Sequence, residues 1–252
     1  MDITVGSALV VAGSATVGAM MKGALGLGFP ITATPLMTTV FGPETAVPAI
    51  AVPALLMNIA QAWQGRVLLR GFGAIMPVLV ALVPGSVIGA YLLASLPTQF
   101  ITLLVGLSVM IYSALSLIGV PIEVPPRLIR PIGGAVGLAS GILGGATGIY
   151  SPLLMLFLSA LTLDKETFPP LISLTFVIGQ IPQLATYMGL GLLTWDRLTL
   201  SLLMVPPVVV GFVIGTSLRS RMNAAAFAAA VMVAIFVVGA NLVRQALGLH
   251  LS

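Results

Sequence analysis

Residues 137–152, GLASGILGGATGIYSP, set Gly144, Gly145 and Gly148 close together inside a run of apolar sequence and follow them with Tyr150 and Ser151. In hydrocarbon an unpaired backbone N–H or C=O has no solvent partner. A helix break therefore survives there only where protein or a water-filled cavity satisfies it. The glycines predict such a place, with backbone amides exposed at Gly144, Gly145 and Gly148. Thr147, Tyr150 and Ser151 are then candidates to line it through their hydroxyls, although Thr147 and Ser151 could equally cap the helix that begins beyond the break.

The rest of the chain establishes that the setting is a membrane. Of 252 residues, 59% are hydrophobic and 6% charged, and the mean hydropathy is +1.19, whereas an ordinary soluble domain carries charge on roughly a quarter of its residues. Apolar segments fall at about 3–25, 30–41, 45–64, 72–96, 100–118, 128–143, 149–162, 168–188, 198–218 and 223–247. They allow roughly eight spanning or broken helices of ~20 residues in one membrane domain, 1–252. The segments beginning near 30 and 149 are too short for a straight crossing and suit half or re-entrant helices. The first residues lack a basic n-region, so the first apolar stretch is expected to persist as a helix. The chain has no cysteine, which excludes disulfides, thiolate metal sites and thiol chemistry.

The two halves, 1–120 and 121–252, read as repeats. Gly23 and Gly26 match Gly141 and Gly144, and Pro35 matches Pro152. Glu44, Pro48, Asn58 and Gln61 match Glu166, Pro170, Gln180 and Gln183, and Gly85 and Gly89 match Gly211 and Gly215, in the same order. Each half is expected to hold a broken or re-entrant helix hairpin followed by three crossing helices. Three net crossings per half make the second half inverted. One face then collects Arg66, Arg70, Arg127, Arg130, Lys165, Arg219 and Arg221, against Arg197 and Arg244 on the other. That bias predicts a cytoplasmic first face and both termini outside a cytoplasmic membrane. The net charge of +4 is scattered singly over short loops, a topological use that does not suit nucleic acid.

The expected fold is thus an all-α polytopic membrane protein of two inverted repeats, an arrangement common among secondary transporters. Helices starting near Pro30 and Ile149 would present free amides and positive dipole ends to an anion. Gly26 and Gly28 belong to the first break. Asn58 and Gln61 share a helix face, as do Gln180 and Gln183; these amides either orient an anion's oxygens or tie helices together. Lys22 is either a loop charge or a cation beside the cavity. The Gly85/Gly89 and Gly211/Gly215 pairs read as close-packing faces, and Trp63 and Trp195 as interfacial anchors.

No carboxylate lies mid-span and the one histidine is His250 at the tail, so a buried proton relay is unsupported. No metal cluster, HExxH pattern, P-loop or nucleophilic triad is present in the sequence. No cofactor is expected, and an intramembrane enzyme is disfavoured. At KGALGLGFP (residues 22–30) with Pro35-Leu36, and at residues 137–148 with Pro152-Leu153-Leu154, the sequence resembles the sulfite exporter TauE/SafE (TSUP) family of membrane anion transporters. It departs from the family's usual Gly-Gly-Gly run, which is Gly26-Leu-Gly28 here and Gly144-Gly-Ala-Thr147 in the second half. The resemblance implies transport of a small sulfur- or carbon-containing oxyanion, such as sulfite, a sulfonate or an organic acid. The alternatives are a membrane enzyme or assembly factor that holds a small molecule, or an anion channel. The partners expected are the oxyanion and the lipid bilayer, with a homodimer left open.

Overall fold

The computed structural model describes residues 4–64, 72–118, 124–161, 167–218 and 224–249. Among these the chain is helical throughout, without a strand. The elements are α1 (Val5–Leu25), α2 (Phe29–Phe41), α3 (Pro43–Gln64), α4 (Phe72–Ser95), α5 (Thr98–Ile118), α6 (Ile129–Thr147), α7 (Ser151–Ser159), α8 (Phe168–Gly189), α9 (Trp195–Leu218) and α10 (Ala224–Ala246). Seven are long and apolar enough to cross a membrane: α1, α3, α4, α5, α8, α9 and α10. Most charged loop residues, including Arg66, Arg70, Lys165, Arg219 and Arg221, lie outside the described residues, as does His250.

The first break forms because Gly26 adopts φ +84°, a left-handed turn that sends its N–H back to the Lys22 carbonyl at 2.7 Å. Such a cap suits glycine, which has no Cβ to clash. Pro30 stands in the first turn of α2, where a missing N–H costs nothing. The second break repeats the geometry: Gly148 has φ +74° and donates to the Gly144 carbonyl at 2.7 Å. These capping glycines stand 122 positions apart in the chain, one turn later than the pairing of Gly26 with Gly144 suggested.

One expectation is corrected here. Gly144 and Gly145 do not break a helix; both lie within α6, which runs on to Thr147. Their lack of a side chain serves packing. A Cβ on Gly145 would strike the backbone of Ser86, Gly89 and Ala90 on α4, and one on Gly144 would fall in the ring of Tyr150.

The Gly-x-x-x-Gly pairs are packing faces, as read. Gly85 meets Leu138 and Gly141, and Gly89 meets Ile142 and Gly145, so α4 and α6 run parallel with backbones in contact. Gly211 meets Thr16 and Gly215 meets Met20, giving α1 and α9 the same parallel seam. Without a hydrophobic drive between helices in lipid, such small-residue contacts gain stability by close van der Waals packing. Each seam joins a helix of one half to a helix of the other. Trp63 and Trp195 are largely exposed near the ends of α3 and α9, where interfacial anchors belong.

Candidate functional site

Helices α3 and α8 cross in opposite directions: Asn58 meets Gln180, whereas Gln61 meets Ser173, a residue nearer the start of α8. Asn58 Nδ2 donates to Gln180 Oε1 at 2.8 Å. The residues matched between the halves are thus bonded to each other. Lys22, in the last turn of α1, donates from Nζ to Asn58 Oδ1 at 2.6 Å, and Ser173 Oγ donates to Gln61 Oε1 at 2.6 Å. Gln61 Nε2 lies beside the bare Cα of Gly26, whose other neighbour is Pro169 of α8. Lys22 is 2% exposed and Gln61, the most accessible of the four, 8%. Lys22 is therefore no loop charge.

This cluster has an excess of donors. Asn58 Oδ1, Gln180 Oε1 and Gln61 Oε1 are each occupied. Among the described residues no acceptor meets the two remaining N–H groups of Lys22, nor the Nε2 groups of Gln61 and Gln180. Lys22 likewise makes no ion pair with any described residue.

At the second break Gln183 itself is fully engaged. Gln183 Nε2 donates to the Gly144 carbonyl at 2.8 Å and to Tyr187 Oη at 2.7 Å. Tyr187 Oη donates in turn to the Gly145 carbonyl at 2.5 Å. Tyr150 donates to Gln183 Oε1 at 3.0 Å, with Ser86 Oγ at 3.3 Å, while its ring packs tilted on Phe176 at 6.1 Å between centroids. Gly144 and Gly145 thus contribute carbonyls rather than exposed amides. Thr147 Oγ1 donates to the Leu143 carbonyl at 2.7 Å and accepts from the Ile149 amide at 3.2 Å, closing the end of α6. Tyr150 stands at the N-cap of α7 without a side-chain capping bond. Ser151 opens α7, and its side chain lies outside the described structure.

Gly148 is faced by Val47 of α3 and Thr34 of α2, the latter hydroxyl 3.7 Å from where a Cβ would stand. Each break is therefore covered by elements of the opposite half, with α3 and α8 between them. Sequence reasoning missed Ser173, Ser86 and Tyr187, which complete the two networks. It also missed the buried hydroxyls of Thr32, Thr34 and Thr38 on α2, which have no partner; four threonines within ITATPLMTT (residues 31–39) were the available signal. Two clefts between helices, one of about 260 Å³ lined by Met57 and Phe212 and one of about 190 Å³ lined by Tyr112 and Met155, contain no member of the donor-rich cluster. The residues of that cluster are buried in this conformation.

Seven helices fit to span a bilayer, with glycine breaks flanking a buried polar crossing, define a polytopic helical membrane protein of the broken-helix kind. The chain matches the model of the sulfite exporter TauE/SafE family over residues 10–242 and belongs to that family. No curated protein and no solved structure matches it. The protein is accordingly a multi-pass membrane transporter rather than an enzyme.

Proposed function

We propose that the protein is a secondary carrier that moves a small oxyanion, sulfite or a sulfonate or related organic anion, across the cytoplasmic membrane by alternating access. The surplus of donors at the α1–α3–α8 junction carries this reading. Donor groups within a membrane that have no acceptor are costly, and an anion's oxygens would accept from the spare N–H groups of Lys22, Gln61 and Gln180. Asn58 holds Lys22 and Gln180 in place. Gly144, Gly145, Gly148, Thr147, Tyr150, Ser151 and Gln183 form the stiffer opposing side.

Inverted repeats support the same reading. Where successive helices alternate in direction, α4 opposes α1. Helix α6 runs with α4 and so opposes α1, its counterpart; α3 and α8, also counterparts, run antiparallel. Rocking one half on the other around a fixed site would open the buried cluster to each side in turn. Both termini lie outside in this scheme. Every residue named comes from one chain, so the reading needs no dimer.

The test is sulfite uptake into proteoliposomes by Gln61→Ala and Gln180→Ala. Each should lose roughly tenfold in transport efficiency, the scale of one lost hydrogen bond to a charged group, with folded protein recovered as for the wild type. Undiminished uptake in both would remove the site assignment.

A further inference from the structure

We infer that Lys22 makes the junction a site for singly charged oxyanions, such as a sulfonate or hydrogensulfite, and sets it against dianions. The inference rests on the carrier reading and names its substrate class. Two features isolate this charge.

First, the break brings opposing helix ends together. The C-terminus of α1, negative by its dipole, and the N-terminus of α2, positive, are separated only by Gly26-Leu27-Gly28. Their partial charges offset one another, so the charge that a protonated Lys22 carries decides the sign and size of the local field. The amides of Asn58, Gln61 and Gln180 add hydrogen bonds and no net charge.

Second, the other half supplies no matching cation. In the register set by Gly26 and Gly148, Lys22 corresponds to Gly144 and Gly28 to Tyr150. In one half a lysine stands four residues before the capping glycine; in the other that place is a glycine, on which the ring of Tyr150 lies. The polar group at the break is therefore a lysine on one side, bonded to Asn58 of α3, and a phenol on the other, bonded to Gln183 of α8. A monoanion at the junction forms a neutral pair with Lys22. A dianion leaves one negative charge buried without a partner, and that desolvation is unfavourable in a low-dielectric interior.

Methanesulfonate and sulfate provide matched probes, tetrahedral at sulfur and carrying one and two charges. Binding is read from thermal stabilisation of the purified full chain in detergent, and sulfite counterflow is measured separately. Methanesulfonate should bind at least tenfold more tightly than sulfate. Lys22→Met should abolish that binding, and Lys22→Arg should retain it. Equal stabilisation by the two anions in the wild type, a comparison that needs no variant to fold, would overturn the inference, as would undiminished methanesulfonate binding by Lys22→Met. Lys22-dependent methanesulfonate binding without counterflow would sink the carrier reading and keep the charge rule. Counterflow with equal binding of both anions would do the reverse.

Discussion

Gln180 and Gln183 stand one turn apart on α8, and the hydrogen bonds around them divide their tasks. Gln180 accepts from Asn58 and keeps an unused Nε2, whereas Gln183 has its amide nitrogen and oxygen all engaged by Gly144, Tyr187 and Tyr150. Opposite outcomes should follow from substitution. Gln183→Leu removes the shorter-range acceptor of the Tyr150 hydroxyl and one of the two donors to the Gly144 carbonyl in a buried setting and should cost about 1–3 kcal/mol, read as a lower melting temperature in detergent. Gln180→Ala should leave that temperature near the wild-type value and lower transport. A stable Gln183→Leu protein would show that this network is not the structural tie described. The sequence presented the two glutamines alike, as repeats of Asn58 and Gln61, because which groups end up satisfied depends on how α6 and α8 cross. Tyr187, 42 residues from Gly145 in the chain, gave no local sign of its contact.

At the level of elements, the seams α4–α6 and α1–α9 leave no room for a methyl group at Gly89 or Gly215, since backbone atoms of the facing helix occupy the space. Gly89→Ala and Gly215→Ala should each destabilise by about 1–3 kcal/mol, the usual cost of overpacking. Gly134, also on α6, faces open space. Gly134→Ala should be neutral or stabilise by up to about 1 kcal/mol through helix propensity. Thermal melts of the three variants side by side check the contrast, and equal melting temperatures would refute the seams. Element lengths and breaks were largely legible: the short segments near 30 and 149 became α2 and α7, and Gly26 and Gly148 do end helices. The end of α6 was not. Glycine reads as a helix breaker along the chain, but Gly144 and Gly145 are there for what a neighbouring ring and helix bring close.

Across the whole molecule, parallel seams join α4 to α6 and α1 to α9, and the donor-rich cluster lies where α3 and α8 cross. The absence of cysteine makes orientation directly measurable. A single cysteine at Thr98, exposed at the start of α5, should react with an impermeant maleimide from outside intact cells, and one at exposed Arg127 only after the cytoplasmic side is opened. The reverse pattern would overturn the charge-based orientation. Fold class and family were readable because apolar length and glycine placement are local properties of the chain. The donor surplus was not, since it arises from three helices meeting. The central claim, that this junction carries an oxyanion from one side to the other, is tested most directly by counterflow of labelled sulfite in sealed proteoliposomes. The account predicts saturable uptake of label driven by unlabelled sulfite inside and reduced by Gln61→Ala and Gln180→Ala. Uptake that never saturates, or none above protein-free vesicles, would contradict it.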